Sequence, residues 1–158
     1  MLKDYQKSML SLFIELELKL AELYNVLAVT FPQESVFFKA LNAEELKHAQ
    51  WLEYFMDKIE QGEVLFHEDN ARTYTLKSFI ANVQTLVENA KAGKLTIISA
   101  LSLSAGIEEA LIERKVFNHF MASSSELKQT LLRLIDGTGA HAAGVKKLKN
   151  DYAKRAAP

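Results

Sequence analysis

Ala43-Glu44-Glu45-Leu46-Lys47-His48-Ala49 is the stretch on which the fold turns. Its core is Glu45-x-x-His48. A helix sets residues three apart on one face, so this carboxylate and this imidazole converge on one point. That face is otherwise apolar, carrying Phe38, Leu41, Leu52, Phe55 and Ile59. Two polar groups are therefore aimed into a core, where an ionised side chain is costly unless it is paired.

Outward from this stretch the chain reads as helix nearly throughout, punctuated by two prolines and six glycines. A first helix is expected from Asp4 to Thr30, ending before Pro32 because the residue preceding proline is disfavoured in helical geometry. Its apolar stripe is Leu10, Phe13, Leu20, Ala21, Tyr24 and Ala28, and Glu17 falls within it, whereas Glu15 and Glu22 share the polar side with Ser8, Ser11 and Lys19. The second helix starts at Ser35 or a neighbour and ends at Gly62, a C-terminal cap. Residues 63–74 show no period, and a shorter helix follows from Thr75 to Ala92, closed by Gly93. These two segments make a crossover long enough to run from one end of a bundle to the other.

A third bundle helix is expected from Leu95 to Met121, with Ile97, Leu101, Ser104, Ala105, Glu108, Leu111, Ile112 and Lys115 directed inward. Its apolar arc is wide, so periodicity alone does not separate Glu108 from Glu109. Ser123-Ser124-Ser125-Glu126 supplies N-cap chemistry for a last helix, which carries Leu134, Thr138, His141, Val145, Leu148 and Tyr152 along one face to about Arg155. Gly137, Gly139 and Gly144 inside it each cost about 1 kcal/mol against alanine, so a kink or a close packing contact is expected there.

Composition narrows the function. The 158 residues suit one soluble domain, residues 1–158, with a real core. A net charge of −1 gives no footprint for nucleic acid or anionic membrane, and no window is apolar enough to span a bilayer. Lys3, Asp4, Lys7, Glu15, Glu17 and Lys19 interrupt the apolar start, which reads as a helix and not a signal, so a cytoplasmic protein is expected. With no cysteine there is neither a disulfide nor a thiolate or iron–sulfur centre.

An internal repeat favours Glu108. Leu16-Glu17-Leu18-Lys19-Leu20-Ala21-Glu22 and Ile107-Glu108-Glu109-Ala110-Leu111-Ile112-Glu113 share one pattern, and Leu41 to Ala49 aligns with Leu134 to Ala142, each segment carrying a histidine. Each half is a helix pair offering one glutamate and one histidine motif.

With these positions the chain resembles the rubrerythrin-like branch of the ferritin-like di-iron carboxylate superfamily over nearly its whole length. The resemblance implies an all-α, ferritin-like antiparallel four-helix bundle whose long crossover carries an additional shorter helix. It implies two irons per chain held by Glu17, Glu45, His48, Glu108 and His141: Glu17 and Glu108 as terminal or chelating carboxylates, Glu45 bridging, and one histidine on each metal. It also implies peroxide-reducing or ferroxidase-type redox chemistry and allows a homodimer. The absence of cysteine excludes a rubredoxin-type centre in this chain, so electrons would come from a separate partner.

The chain departs from the family at Thr138, which stands where the second E-x-x-H has its glutamate. One bridging carboxylate is missing. Asp136 falls on the polar face with Gln129, Arg133 and Lys147 and can substitute only if the glycine-rich turn distorts the helix. Two alternatives to a di-iron enzyme therefore stand beside it: a site for one metal, iron or another divalent ion, at Glu45 and His48 with Glu17, and a metal-free bundle that serves as a non-catalytic interaction protein. His67 and His119 read as surface residues, Tyr24 as a core tyrosine with a satisfied hydroxyl, and Glu113 as either near the site or solvated.

Overall fold

The structure is a computed structural model that describes residues 3–66, 73–114 and 120–156, with side chains for 3–66, 75–110 and 120–155. Five helices dominate it: α1 (Asp4–Thr30), α2 (Ser35–Glu60), α3 (Thr73–Lys91), α4 (Ile97–Arg114) and α5 (Ser125–Ala156). A single 3-10 turn, Pro32–Glu34, joins α1 to α2. The stripes expected from the sequence are the buried faces, with Leu10, Phe13, Glu17 and Tyr24 of α1 packed against Phe38, Leu41, Glu45, Leu52 and Phe55 of α2. Among the described residues, no helix is long and apolar enough to cross a membrane.

The caps follow local chemistry. Gly62 (φ +79°) and Gly93 (φ +66°) end α2 and α3 in the left-handed conformation that glycine adopts without a Cβ penalty. In each case the next amide reaches back to the helix, Glu63 N–H to Lys58 O and Lys94 N–H to Asn89 O. Thr96 and Ser99 exchange side-chain bonds to each other's backbone N–H at the start of α4, and Ser124 Oγ accepts from Leu127 N–H at the start of α5.

Contacts fix the directions. Asn42 bonds the Ala21 carbonyl and Lys7 pairs with Glu60, so α1 and α2 are antiparallel. His141 contacts Glu44 and Glu45, and Tyr152 reaches Glu34, so α2 and α5 are antiparallel too. α3 lies along α1, and α4 packs on α5. The closest helix approaches are within these two groups, and the ligand-type side chains fill the space between them.

The expected third bundle helix is too long at its far end. Its described part is Ile97–Arg114, and Phe120 and Met121, expected within it, belong instead to a strand, β2 (Phe120–Ala122), paired antiparallel with β1 (Val64–Phe66) in the stretch that showed no period. The pairing places Phe66 against Phe120 at 5.2 Å and Phe120 against Phe55 at 5.9 Å, so the ribbon closes the end of the core with aromatic contacts. It also ties together the segments that follow α2 and α4, so these two helices point to the same end of the molecule. His67, Lys115 and His119 lie outside the described residues, as do the side chains of Leu111, Ile112 and Glu113.

α5 is one continuous helix through its glycines. Two of the three make the close contacts that were the alternative expectation. A Cβ at Gly137 would lie 3.0 Å from His48 Nε2, and one at Gly144 would lie 3.5 Å from Phe37, whereas nothing lies within 4 Å at Gly139. Asp136 stays on the exposed face, so the helix does not turn it inward to replace the missing glutamate.

Candidate metal centre

All five sequence-predicted ligands are buried: Glu17 and Glu45, His48, Glu108 and His141. The 3.6-residue period of three different helices brings Glu17, Glu45, His48 and His141 together, and Glu108 approaches from a fourth. Its neighbour Glu109 turns outward and pairs with Lys146, which decides between the two in favour of Glu108.

Glu45 lies at the centre. Its Oε2 accepts a hydrogen bond from His48 Nδ1 at 3.0 Å, and the same nitrogen is 3.7 Å from Glu17 Oε2. Its Oε1 lies 2.9 Å from His141 Nδ1, but not along a hydrogen-bond direction, and among the described residues neither of these two atoms has a hydrogen-bond partner. The imidazoles of His48 and His141 stack at 5.2 Å with 22° between their planes. One ligand atom from each of Glu45, His48 and His141 falls within 4.8 Å of the others, close enough for a single ion.

Two further side chains hold these groups. Tyr24 O–H donates to Glu108 Oε1, and Glu108 Oε2 is buried without a hydrogen-bond partner among the described residues. The core tyrosine read from the sequence is thus satisfied by a candidate ligand. Glu44 reaches across from α2 to the Nε2 of His141 while remaining half exposed itself. A carboxylate on the outer nitrogen of a histidine fixes its tautomer and leaves the inner nitrogen free to bind a cation. Glu44 was not singled out from the sequence. Its only signal there is that it precedes Glu45, about 100° round the helix, at the edge of the buried stripe.

Burial and the charges of the cluster itself set its protonation. Burial pushes the Glu17 carboxyl up to about 8, against the pull of the neighbouring His48. Burial, aided by the charge of Glu45, brings Glu108 to about 7 despite the Tyr24 hydroxyl. Burial alone would lower both histidines, yet Glu17 and Glu45 raise His48 to about 10, and Glu45, Glu108 and Glu44 raise His141 to about 9. Glu45 is the exception among the carboxylates: burial would raise it, but the adjacent His141 and His48 hold it down at about 2. Tyr24 is kept well above its usual range by burial beside Glu108, Glu45 and Glu17, so it remains a donor.

Thr138 is buried, and its hydroxyl donates to its own helix at Leu134 O, 3.1 Å away. It brings no charge. The residues whose ligand atoms lie within 4.8 Å of one another are Glu45, His48 and His141, and Glu17, expected from the sequence beside Glu45 and His48, comes within 3.7 Å of His48 Nδ1. Comparison of the chain with protein-family models, with curated proteins and with solved structures finds no match.

Proposed function

We propose that Glu17, Glu45, His48, Glu108 and His141 form the metal centre of a ferritin-like bundle of rubrerythrin type, with two irons as its resident metals. The observation that carries this reading is the position of Glu45, which divides its two oxygens between histidines from opposing helices. The donor set fits the group. Glu108 Oε2 is buried without a hydrogen-bond partner among the described residues, a condition that buried polar atoms rarely tolerate and that a cation would relieve, and Glu45 Oε1 meets His141 Nδ1 only as an ion pair at 2.9 Å. Carboxylates are hard donors suited to iron, and imidazole is borderline.

On this reading Glu17, Glu45, His48, Glu108 and His141 would hold the two metals, with one histidine for each. Once bound, a pair of irons would supply two electrons for reducing peroxide or for ferroxidase-type turnover. The protein's own residues do the rest. Glu44 orients His141, Tyr24 orients Glu108, and the packed faces of α1, α2, α4 and α5 keep bulk water away. Electrons would arrive from a separate donor protein, since the chain has no cysteine to hold a rubredoxin-type centre, and a homodimer is the oligomer proposed.

A second reading has its own observation. The grouping of Glu45, His48 and His141 within 4.8 Å suits one divalent ion, and Thr138 withdraws the charge that a second metal would draw on. Anaerobic reconstitution with ferrous iron, followed by metal analysis, separates the two. Two irons per chain with peroxide consumption in the presence of a reductant are expected of the first, one inert ion of the second. If neither the wild-type protein nor Glu45→Gln retains metal, both readings fall and the metal-free interaction bundle remains.

A further inference from the structure

The side of α2 turned away from the metal centre is ordered about one residue. Lys39, Asn42, Leu46, Gln50 and Glu53 follow one another at steps of three, four, four and three, so they share one side of the helix. All are exposed except Asn42, which is half-buried, and Leu46 at the middle leaves 41% of its surface in water.

The spacing reads the same in both directions, and the charge reverses across it. Lys39 stands seven residues before Leu46 and Glu53 seven after. Seven residues are nearly two turns, so each lies within about 20° of Leu46 round the helix. The two are about 21 Å apart along α2, too far to meet each other. Among the described residues neither has an ion-pair partner, whereas Lys7, Lys19, Lys58 and Lys91 all pair with glutamates. Leu18 of α1 is level with Leu46. Asn42 bonds the Ala21 carbonyl, and each leucine lies about one turn from that bond towards the Lys7–Glu60 pair. Leu18 is 45% exposed.

We propose that the outer face of α1 and α2 is the homodimer interface, in which α2 packs antiparallel on α2 of a second copy of this chain across a two-fold axis at Leu46. The axis exchanges positions equally distant from Leu46, so Lys39 meets Glu53 of the partner subunit, twice over, and Asn42 meets Gln50 of the partner subunit. A parallel pairing would set lysine on lysine and glutamate on glutamate, and that repulsion selects against it. α1 and α2, each about 40 Å long and about 10 Å across, offer on the order of 800 Å² per subunit, the size of a standard interface. The pairing rests on the homodimer already proposed and is independent of the metals.

Sedimentation equilibrium of the full chain tests it. The wild type is expected to be dimeric. Lys39→Glu and Glu53→Lys are each expected to weaken association roughly tenfold, since each turns two attractions into two repulsions. The double variant Lys39→Glu/Glu53→Lys is expected to restore it. Because the chain has no cysteine, Leu46→Cys places a single thiol per subunit on the axis and is expected to cross-link the dimer under mild oxidation. Leu132→Cys, at a 57% exposed position of α5, is not. A dimer indifferent to both single reversals, a double variant no tighter than the singles, or cross-linking at Leu132→Cys in place of Leu46→Cys overturns this interface alone. A wild-type chain that stays monomeric at high concentration overturns the homodimer and the interface together.

Discussion

Metal binding should displace protons in a number that counts the metals. At pH 7 His48 and His141, raised to about 10 and about 9, are both protonated in the metal-free protein. Glu17, at about 8, is mostly protonated, and Glu108, at about 7, is about half so. Every ligand must be a base to bind metal, so these protons leave on loading. A single ion on Glu45, His48 and His141 releases roughly two protons; two ions using all five residues release more than three. Affinity should accordingly rise with pH, because the ligand groups lose protons as pH climbs through about 7 to about 10. The assay is calorimetric titration with zinc at pH 7 in two buffers of different ionisation enthalpy, since the difference in apparent heat gives the protons released. Release of less than one proton per loaded chain would refute the reasoning, for it would mean that the histidines are neutral and the cluster is not a proton-compensated cation site.

The same groups make metal-free stability fall with rising pH. Glu17 and Glu108 contribute stability that is fully present below 4.5 and lost as pH rises through about 7 and about 8, and the histidines contribute stability present below 6.5 and lost through about 9 and about 10. Only Glu45 acts in the opposite sense, its contribution being lost as pH falls through about 2. Melting temperatures of the chelated protein should therefore decline between pH 5 and pH 9, and a rise over that window contradicts the assignment. Glu44→Gln should lower metal affinity by roughly 10- to 100-fold with the fold intact by circular dichroism; unchanged affinity would show that Glu44 does not position His141. Gly137→Ala should weaken metal binding by pushing on His48 Nε2, 3.0 Å from the new Cβ, whereas Gly139→Ala, with open space, should raise stability by about 0.5–1 kcal/mol in chemical denaturation. Equal effects of the two substitutions would show that the contact with His48 is not what requires glycine at position 137.

The buried faces were legible because each long helix repeats its pattern over many turns. Phe38, Leu41, Glu45, His48, Leu52, Phe55 and Ile59 were read from α2 as one stripe, and all are buried. Glu108 needed more than periodicity, since its helix is apolar over a wide arc, and the internal repeat supplied it. The β1–β2 ribbon was not legible because three-residue strands are too short to show alternation, and their pairing joins residues far apart in sequence. Glu44 was missed for a related reason: its role comes from α5, and nothing within α2 marks a half-exposed glutamate as the partner of a distant histidine.

The two halves of the cluster are not equivalent. His48 is held between Glu17 and Glu45, both buried, so its charge is compensated wholly inside the core. His141 is held between buried Glu45 and half-exposed Glu44, so its half touches solvent through a carboxylate. A proton leaving His141 Nδ1 on metal loading changes a ring whose other nitrogen already has an acceptor at the surface. A proton leaving His48 Nδ1 leaves a ring whose named carboxylate neighbours, Glu17 and Glu45, are both buried. The half linked to solvent is also the half whose helix carries Thr138 in place of a carboxylate. Exchange of protons with solvent is therefore favoured on the α5 side. If one ion alone binds, or binds first, the tight grouping of Glu45 and both histidines gives its place, and recruitment of a second should depend on the α5 side, where the internal repeat is broken.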